Sequence, residues 1–131
     1  MIQRIQSLYL LLATIAMIII SFETSIYSKD ELVFMVQDDT KMFILTLGAA
    51  LLGVVSIGVY KSRKLQMKLI RLALVLNFVI AVRLFLLWKA FEVALNNNFI
   101  TLLIVASIAF VLAYRGVKKD DDLVRSVDRI R

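Results

Sequence analysis

The chain has no cysteine, no histidine and no proline, and only four glycines among its 131 residues. Each absence removes a class of chemistry. Without a thiol there is no quinone-linked disulfide oxidoreductase. Without an imidazole there is no His-ligated haem, no H-E-x-x-H metallopeptidase helix and no Ser–His hydrolytic pair. Gly48, Gly53, Gly58 and Gly116 fit neither a G-x-G-x-x-G turn nor a P-loop. No Asp or Glu lies inside any long apolar run. That sets aside the proton-coupled small multidrug exporters, which share the length but need a buried carboxylate. Paired, broken apolar segments of the kind seen in secondary transporters are also missing.

What remains is apolar. Hydrophobic residues make up 61% of the chain, against about 45–50% in a soluble domain, and the mean hydropathy is +0.87. The excess collects in four runs, so the sequence predicts an all-α, polytopic membrane protein with spans at about 5–22, 42–60, 69–88 and 99–114. Residues 1–114 form one four-helix bundle, with no room for a second domain, and 115–131 form a tail. Arg4 gives the first run a charged start, as in a signal peptide, but no A-x-A site follows, and Ile26-Tyr27-Ser28 is a poor substitute. We therefore expect a retained span. Within the polar loop 23–41, the apolar residues 32–36 predict a short strand or a half-turn on the membrane surface.

Charge sets the expected orientation. With four spans, Arg4, the loop 61–68 with Arg71 at the start of the third span, and the tail share one side and carry twelve Lys and Arg; the other side carries Lys29, Lys41 and Lys89. The positive-inside rule then places both termini in the cytoplasm of a bacterial inner membrane. The formal net charge of +6 follows from this topology. Because the basic residues border spans and no recognition module is present, no DNA partner is expected.

Few residues are candidates for a specific role. Arg83 lies inside the third run, where a charge is costly unless paired or near an interface. It precedes Trp88 by five residues, about 7.5 Å along a helix. We expect it to reach the headgroups or to pair with an outer-loop acid such as Glu23; a ligand or transport role is the alternative. Asn77, deep in the same run, should bond to another helix. In the second run Thr46, Ala49, Gly53 and Ser56 form a stripe of small residues that admits a neighbouring helix closely, and Ala106, Ala109 and Ala113 repeat the pattern in the fourth.

The tail, "KKDDDLVRSVDRIR", predicts a short amphipathic helix. Asp120 or Asp121 would cap it, acids crowd its start and arginines its end, and Asp121 and Arg125 stand at i, i+4. Leu123, Val127 and Ile130 share one face. Residues 115–131 carry six basic and four acidic side chains, a small excess for binding lipid by charge alone. We expect a protein surface to receive Leu123, Val127 and Ile130, with Arg125 and Arg129 beside them. The run Asp120-Asp121-Asp122 invites a magnesium reading, but lipid-phosphate enzymes use two spaced acidic clusters and only one is present.

The two ends also carry a resemblance. Gln3-Arg4-Ile5-Gln6 and Leu123-Val124-Arg125-Ser126, followed by Asp128-Arg129, resemble a small family of Bacteroidota inner-membrane proteins, domain of unknown function 4293. The likeness covers the whole chain and implies four helices with cytoplasmic termini. Before the tail the family pattern reads A-N-R-A, whereas this chain has Ala113-Tyr114-Arg115-Gly116, so any role of that Asn does not carry over. The family supplies no activity.

No enzyme, cofactor or metal is expected. The expected function is a non-enzymatic accessory or scaffold subunit of a larger inner-membrane complex, with protein export or insertion machinery preferred. Its partners would be membrane lipids, other inner-membrane subunits, and a ribosome or translocase touched by the basic cytoplasmic segments. The alternative is a small homo-oligomeric channel or transporter built around Arg83 and Asn77.

Overall fold

The computed structural model describes residues 2–29, 32–91 and 94–130, leaving out the side chains of 2–4, 128 and 130. The order is α1 (Ile2–Glu23), β1 (Ser25–Lys29), β2 (Leu32–Met35), a 3-10 turn (Val36–Asp38), α2 (Thr40–Gly58), α3 (Arg63–Phe91), β3 (Ala94–Leu95) and α4 (Asn97–Ile130). Four helices are long and apolar enough to cross a membrane. Their outward faces carry Leu8, Leu51, Phe78, Leu86 and Ile108, all more than half exposed. Water would not tolerate so continuous an apolar belt, whereas lipid matches it.

Helix α1 packs on α2 and α4, and α3 closes the bundle against the same two helices. Of the apolar window in α1, 44% is buried, against 28% in α3. The core runs through Leu10, Met17 and Ile20 of α1, Met42 and Ala49 of α2, Ile70 and Ile80 of α3, and Phe99, Phe110 and Val117 of α4. Buried hydroxyls stay within their own helices. Thr14 donates to the Leu10 carbonyl at 2.7 Å, Ser21 to Met17 at 2.8 Å and Ser56 to Leu52 at 2.6 Å. In a bilayer no water would do this for them.

One end of the bundle is roofed by a small antiparallel sheet in the order β2-β1-β3. The predicted short strand at 32–36 is thus present as β2, which pairs with β1, and β1 pairs on its other edge with β3, a two-residue strand after α3. The β1–β2 register slips between Ser25 and Tyr27. The residue between them, Ile26, is 1% exposed and drops into the core.

The tail departs from expectation at its start. It is helical, but it neither begins anew nor is capped at Asp120 or Asp121: α4 runs unbroken from Asn97 to Ile130. At about 1.5 Å per residue its 34 residues reach roughly 50 Å, well beyond a ~30 Å bilayer core. Nothing between 113 and 121 stops a helix except Gly116, worth only ~1 kcal/mol against Ala, and Gly116 and Val117 pack on the bundle.

Candidate functional site

Helix α2 presents its small-residue stripe inward. Thr46, Ala49, Gly53 and Ser56 are all buried. Gly53 is needed for its size: a Cβ there would run into the Thr14 hydroxyl and lie 3.3 Å from the Thr14 Cβ and 3.6 Å from Phe110. A second close approach, not foreseen in the sequence, joins Gly116 to Gln6, whose Cγ would be 2.7 Å from an added Cβ. The predicted alanine stripe of α4 is buried as well.

Three polar contacts mark the α3–α4 seam. Arg63 donates to Asp120 at 2.7 Å, the Arg71 guanidinium lies 5.5 Å from the Tyr114 ring centre, and Asn77 Nδ2 reaches Ser107 Oγ at 3.4 Å. The expected interhelical bond of Asn77 is therefore present, though long, and its Oδ1 is buried without a partner. All three pairs are centred on the link between α3 and α4, which is the register of an antiparallel helical hairpin. That symmetry was available in the sequence once the two helices were taken as neighbours.

The ion pair Arg63–Asp120 ties the root of the tail to α3. Asp121 accepts from Arg125 at 2.9 Å, the i, i+4 pair read from the sequence. Two of the three consecutive aspartates are thus committed to arginines, and among the described residues no cluster suited to a metal ion occurs. Beyond them the tail is uncovered. Leu123 is 47% and Val127 59% exposed, and Arg125 and Arg129 point to solvent. The side chain of Ile130 lies outside the described residues.

At the sheet end, Arg83 finds an acid, but not Glu23. Its Nη2 donates to Asp39 Oδ2 at 2.6 Å. Asp39 is the N-cap of α2: its Oδ1 accepts from the amides of Lys41 at 3.1 Å and Met42 at 3.3 Å. One carboxylate therefore caps one helix and pairs with the next. Burial pushes its pKa up, but the hydrogen bond from Arg83, the Met42 amide, the Arg83 charge and the Lys41 amide outweigh that and hold it below the ordinary 3.8. Glu23 is exposed. The readable clue was distance: Asp39 and Arg83 are 44 residues apart and equidistant from Lys61, at the tip of the α2–α3 hairpin.

Beside this pair a cleft of about 550 Å³ opens between the sheet and the ends of α2 and α3. Its polar lining includes Asp38, Asp39, Lys41 and Arg83, and its apolar lining Phe34, Leu87 and Phe91. Asn96 plays the same part for α4 as Asp39 for α2. Its Oδ1 caps α4 through the Asn98 amide at 2.9 Å, and its Nδ2 donates to Ser25 Oγ at 2.5 Å, fastening the sheet to α4.

Comparison with curated proteins and with solved structures finds no match. A family model does match, over residues 2–130, and so takes in the sheet, the four helices and the tail alike. The chain therefore belongs to the family described as Domain of unknown function (DUF4293).

Proposed function

We propose that the chain is a non-enzymatic accessory or scaffold subunit of a larger inner-membrane assembly, gripped by its partner through the α4 tail. One observation carries this reading. Helix α4 leaves the bundle without a break, is braced at Val117 and Asp120, and then presents Leu123, Val124 and Val127 uncovered. An apolar strip on a short free helix would be marginal on its own. Held on a rigid stem, it is preorganised for a groove, and the ordering cost of docking is reduced. The charge asymmetry supports a cytoplasmic position for this end. The basic residues around it suit a translocase or ribosomal RNA, so export or insertion machinery is the preferred assembly. Arg83 and Asn77, on which a channel reading would rest, both have partners inside the bundle.

The test is co-purification from native membranes at two salt concentrations. Leu123→Ser with Val127→Ser should release partner proteins and leave membrane insertion intact. Arg125→Gln with Arg129→Gln should weaken capture less, and in a salt-dependent way. Retention by the apolar variant with loss by the arginine variant would sink the groove reading. A homo-oligomer with no other protein would favour the channel. Reporter fusions after residues 65 and 131 should be cytoplasmic, and those at 35 and 96 should not.

A further inference from the structure

We propose that the sheet-end cleft binds one zwitterionic phospholipid with a primary ammonium, a phosphoethanolamine headgroup whose chains lie along the end of α3. This goes beyond the tail reading and does not rest on it. The cleft, about 550 Å³, is within the usual size of a small-molecule site. Its position is that of a headgroup. Asp39 marks the start of α2, and Trp88, the one tryptophan of the chain, is half exposed on α3 beside the lining residue Leu87, an interfacial anchor.

The lining is complementary to such a lipid in three respects. Its charges balance, two carboxylates against two cations. Arg83 and Asp39 largely neutralise one another, which leaves Asp38 and Lys41, three residues apart, as the uncommitted pair. Asp38 uses one oxygen to accept from the Met35 amide at 2.9 Å and keeps the other; Lys41 has no ion pair among the described residues. An anionic headgroup would satisfy Lys41 but face Asp38. A zwitterion answers both, phosphate to Lys41 and ammonium to Asp38. Phe34, Leu87 and Phe91 also line the cleft, apolar surface that a soluble headgroup would leave uncovered and an acyl chain would cover.

The experiment is native mass spectrometry of the full chain released from bilayer discs made of equal parts phosphatidylethanolamine, phosphatidylglycerol and phosphatidylcholine. One phosphatidylethanolamine per chain should be retained, about fivefold above its share of the bilayer, the scale of a partly exposed charge contact. Asp38→Asn with Lys41→Gln should lower retention to the bilayer share; the Asn side chain still accepts from Met35. Lys41→Arg should keep the lipid, as should Lys118→Gln with Lys119→Gln at the other end. Proportionate retention of all three lipids, a preference for phosphatidylglycerol, or loss in Lys41→Arg would overturn the proposal. Equal retention of phosphatidylcholine would overturn the primary-ammonium assignment. Displacement by soluble phosphoethanolamine would assign the cleft to a soluble ligand and overturn the lipid.

Discussion

Two seams of the bundle are built on opposite principles. Between α1 and its neighbours the helices touch through small residues and aliphatics, with Gly53 against Thr14 and Gly116 against Gln6. Between α3 and α4 the seam is marked by Arg63–Asp120, Arg71–Tyr114 and Asn77–Ser107, and the buried residues of α3 are mostly large, Ala73 excepted. In lipid the apolar surface of a helix gains little by meeting another helix, so association depends on tight packing or on polar contacts. The first seam uses packing, which supplies adhesion. The second uses polar rungs, which add little energy but fix which residue faces which. The close-packed seam should therefore be the sensitive one, and the polar seam tolerant.

The largest effect is expected at Gly53. Gly53→Ala places a methyl group against the stiff side chain of Thr14, and overpacking of this kind costs about 1–3 kcal/mol; Gly53→Leu should abolish accumulation in the membrane. Thr14→Ala should recover more than half of the loss in the Gly53→Ala background, read as apparent Tm in mild detergent. Independent, additive losses would mean the two helices do not meet as described. Gly116→Ala should cost less, since the obstructing atoms belong to the flexible Gln6 side chain.

The next effect sits where α2 meets α3. Asp39→Ala removes a helix cap, typically about 1 kcal/mol, and leaves Arg83 without its acid. Asp39→Asn keeps much of the cap and isolates the charge. Because the folded pKa of Asp39 is lowered below 3.8, its contribution should be fully present above the unfolded value of about 3.9 and fade as pH falls through the folded one. The difference in Tm between wild type and Asp39→Asn should accordingly be constant near neutrality and shrink in acid. A difference that grows on acidification would contradict the pairing. Arg83→Lys should retain most of the stability, since a single Nη2 contact is made.

How far the sequence could be read tracks the kind of force involved. The four helices follow from apolar run length alone, because the bilayer sets that length. The stripe through Gly53 and Ser56 was readable because size and spacing are properties of one helix. The helical root of the tail was misread as a new start, because an Asp before an acidic turn looks like a cap and only packing at Val117 and Gly116 shows that α4 never stopped. The pairings Arg83–Asp39 and Arg63–Asp120 needed a register between helices. Six acids lay on the sheet side of the chain, and charge alone could not choose among them. Strand β3, two residues long, has no pattern to detect.

Asn77 tests the polar seam directly. Its amide makes one long bond and buries an unpaired Oδ1. Interhelical polar contacts in membranes average about 0.6 kcal/mol, and the unpaired acceptor offsets part of that. Asn77→Leu should therefore change the apparent Tm little, in either direction. A large loss would show that Asn77 holds something other than Ser107.

The smallest effect on stability, and the most local, is expected at Arg63–Asp120. The two side chains are 28% and 17% exposed, and ion pairs near a surface contribute about 0–1 kcal/mol, so Asp120→Asn should scarcely move the Tm. Its consequence is mechanical. Among the described residues Asp120 is the last at which α4 is tied to another helix, and every described side chain from Asp122 onward is exposed. Without that tie the last fixed point retreats toward Val117, and residues 118–124 should fray. Amide hydrogen exchange over those residues should rise in Asp120→Asn, and rise in the wild type at high salt, where a partly exposed pair is screened. Arg63→Gln should reproduce the change, and the double variant should add nothing further, because both break one contact. If exchange in the tail stays slow while the pair is gone, packing at Gly116 and Val117 alone holds the stem, and the polar seam sets register without bracing the tail.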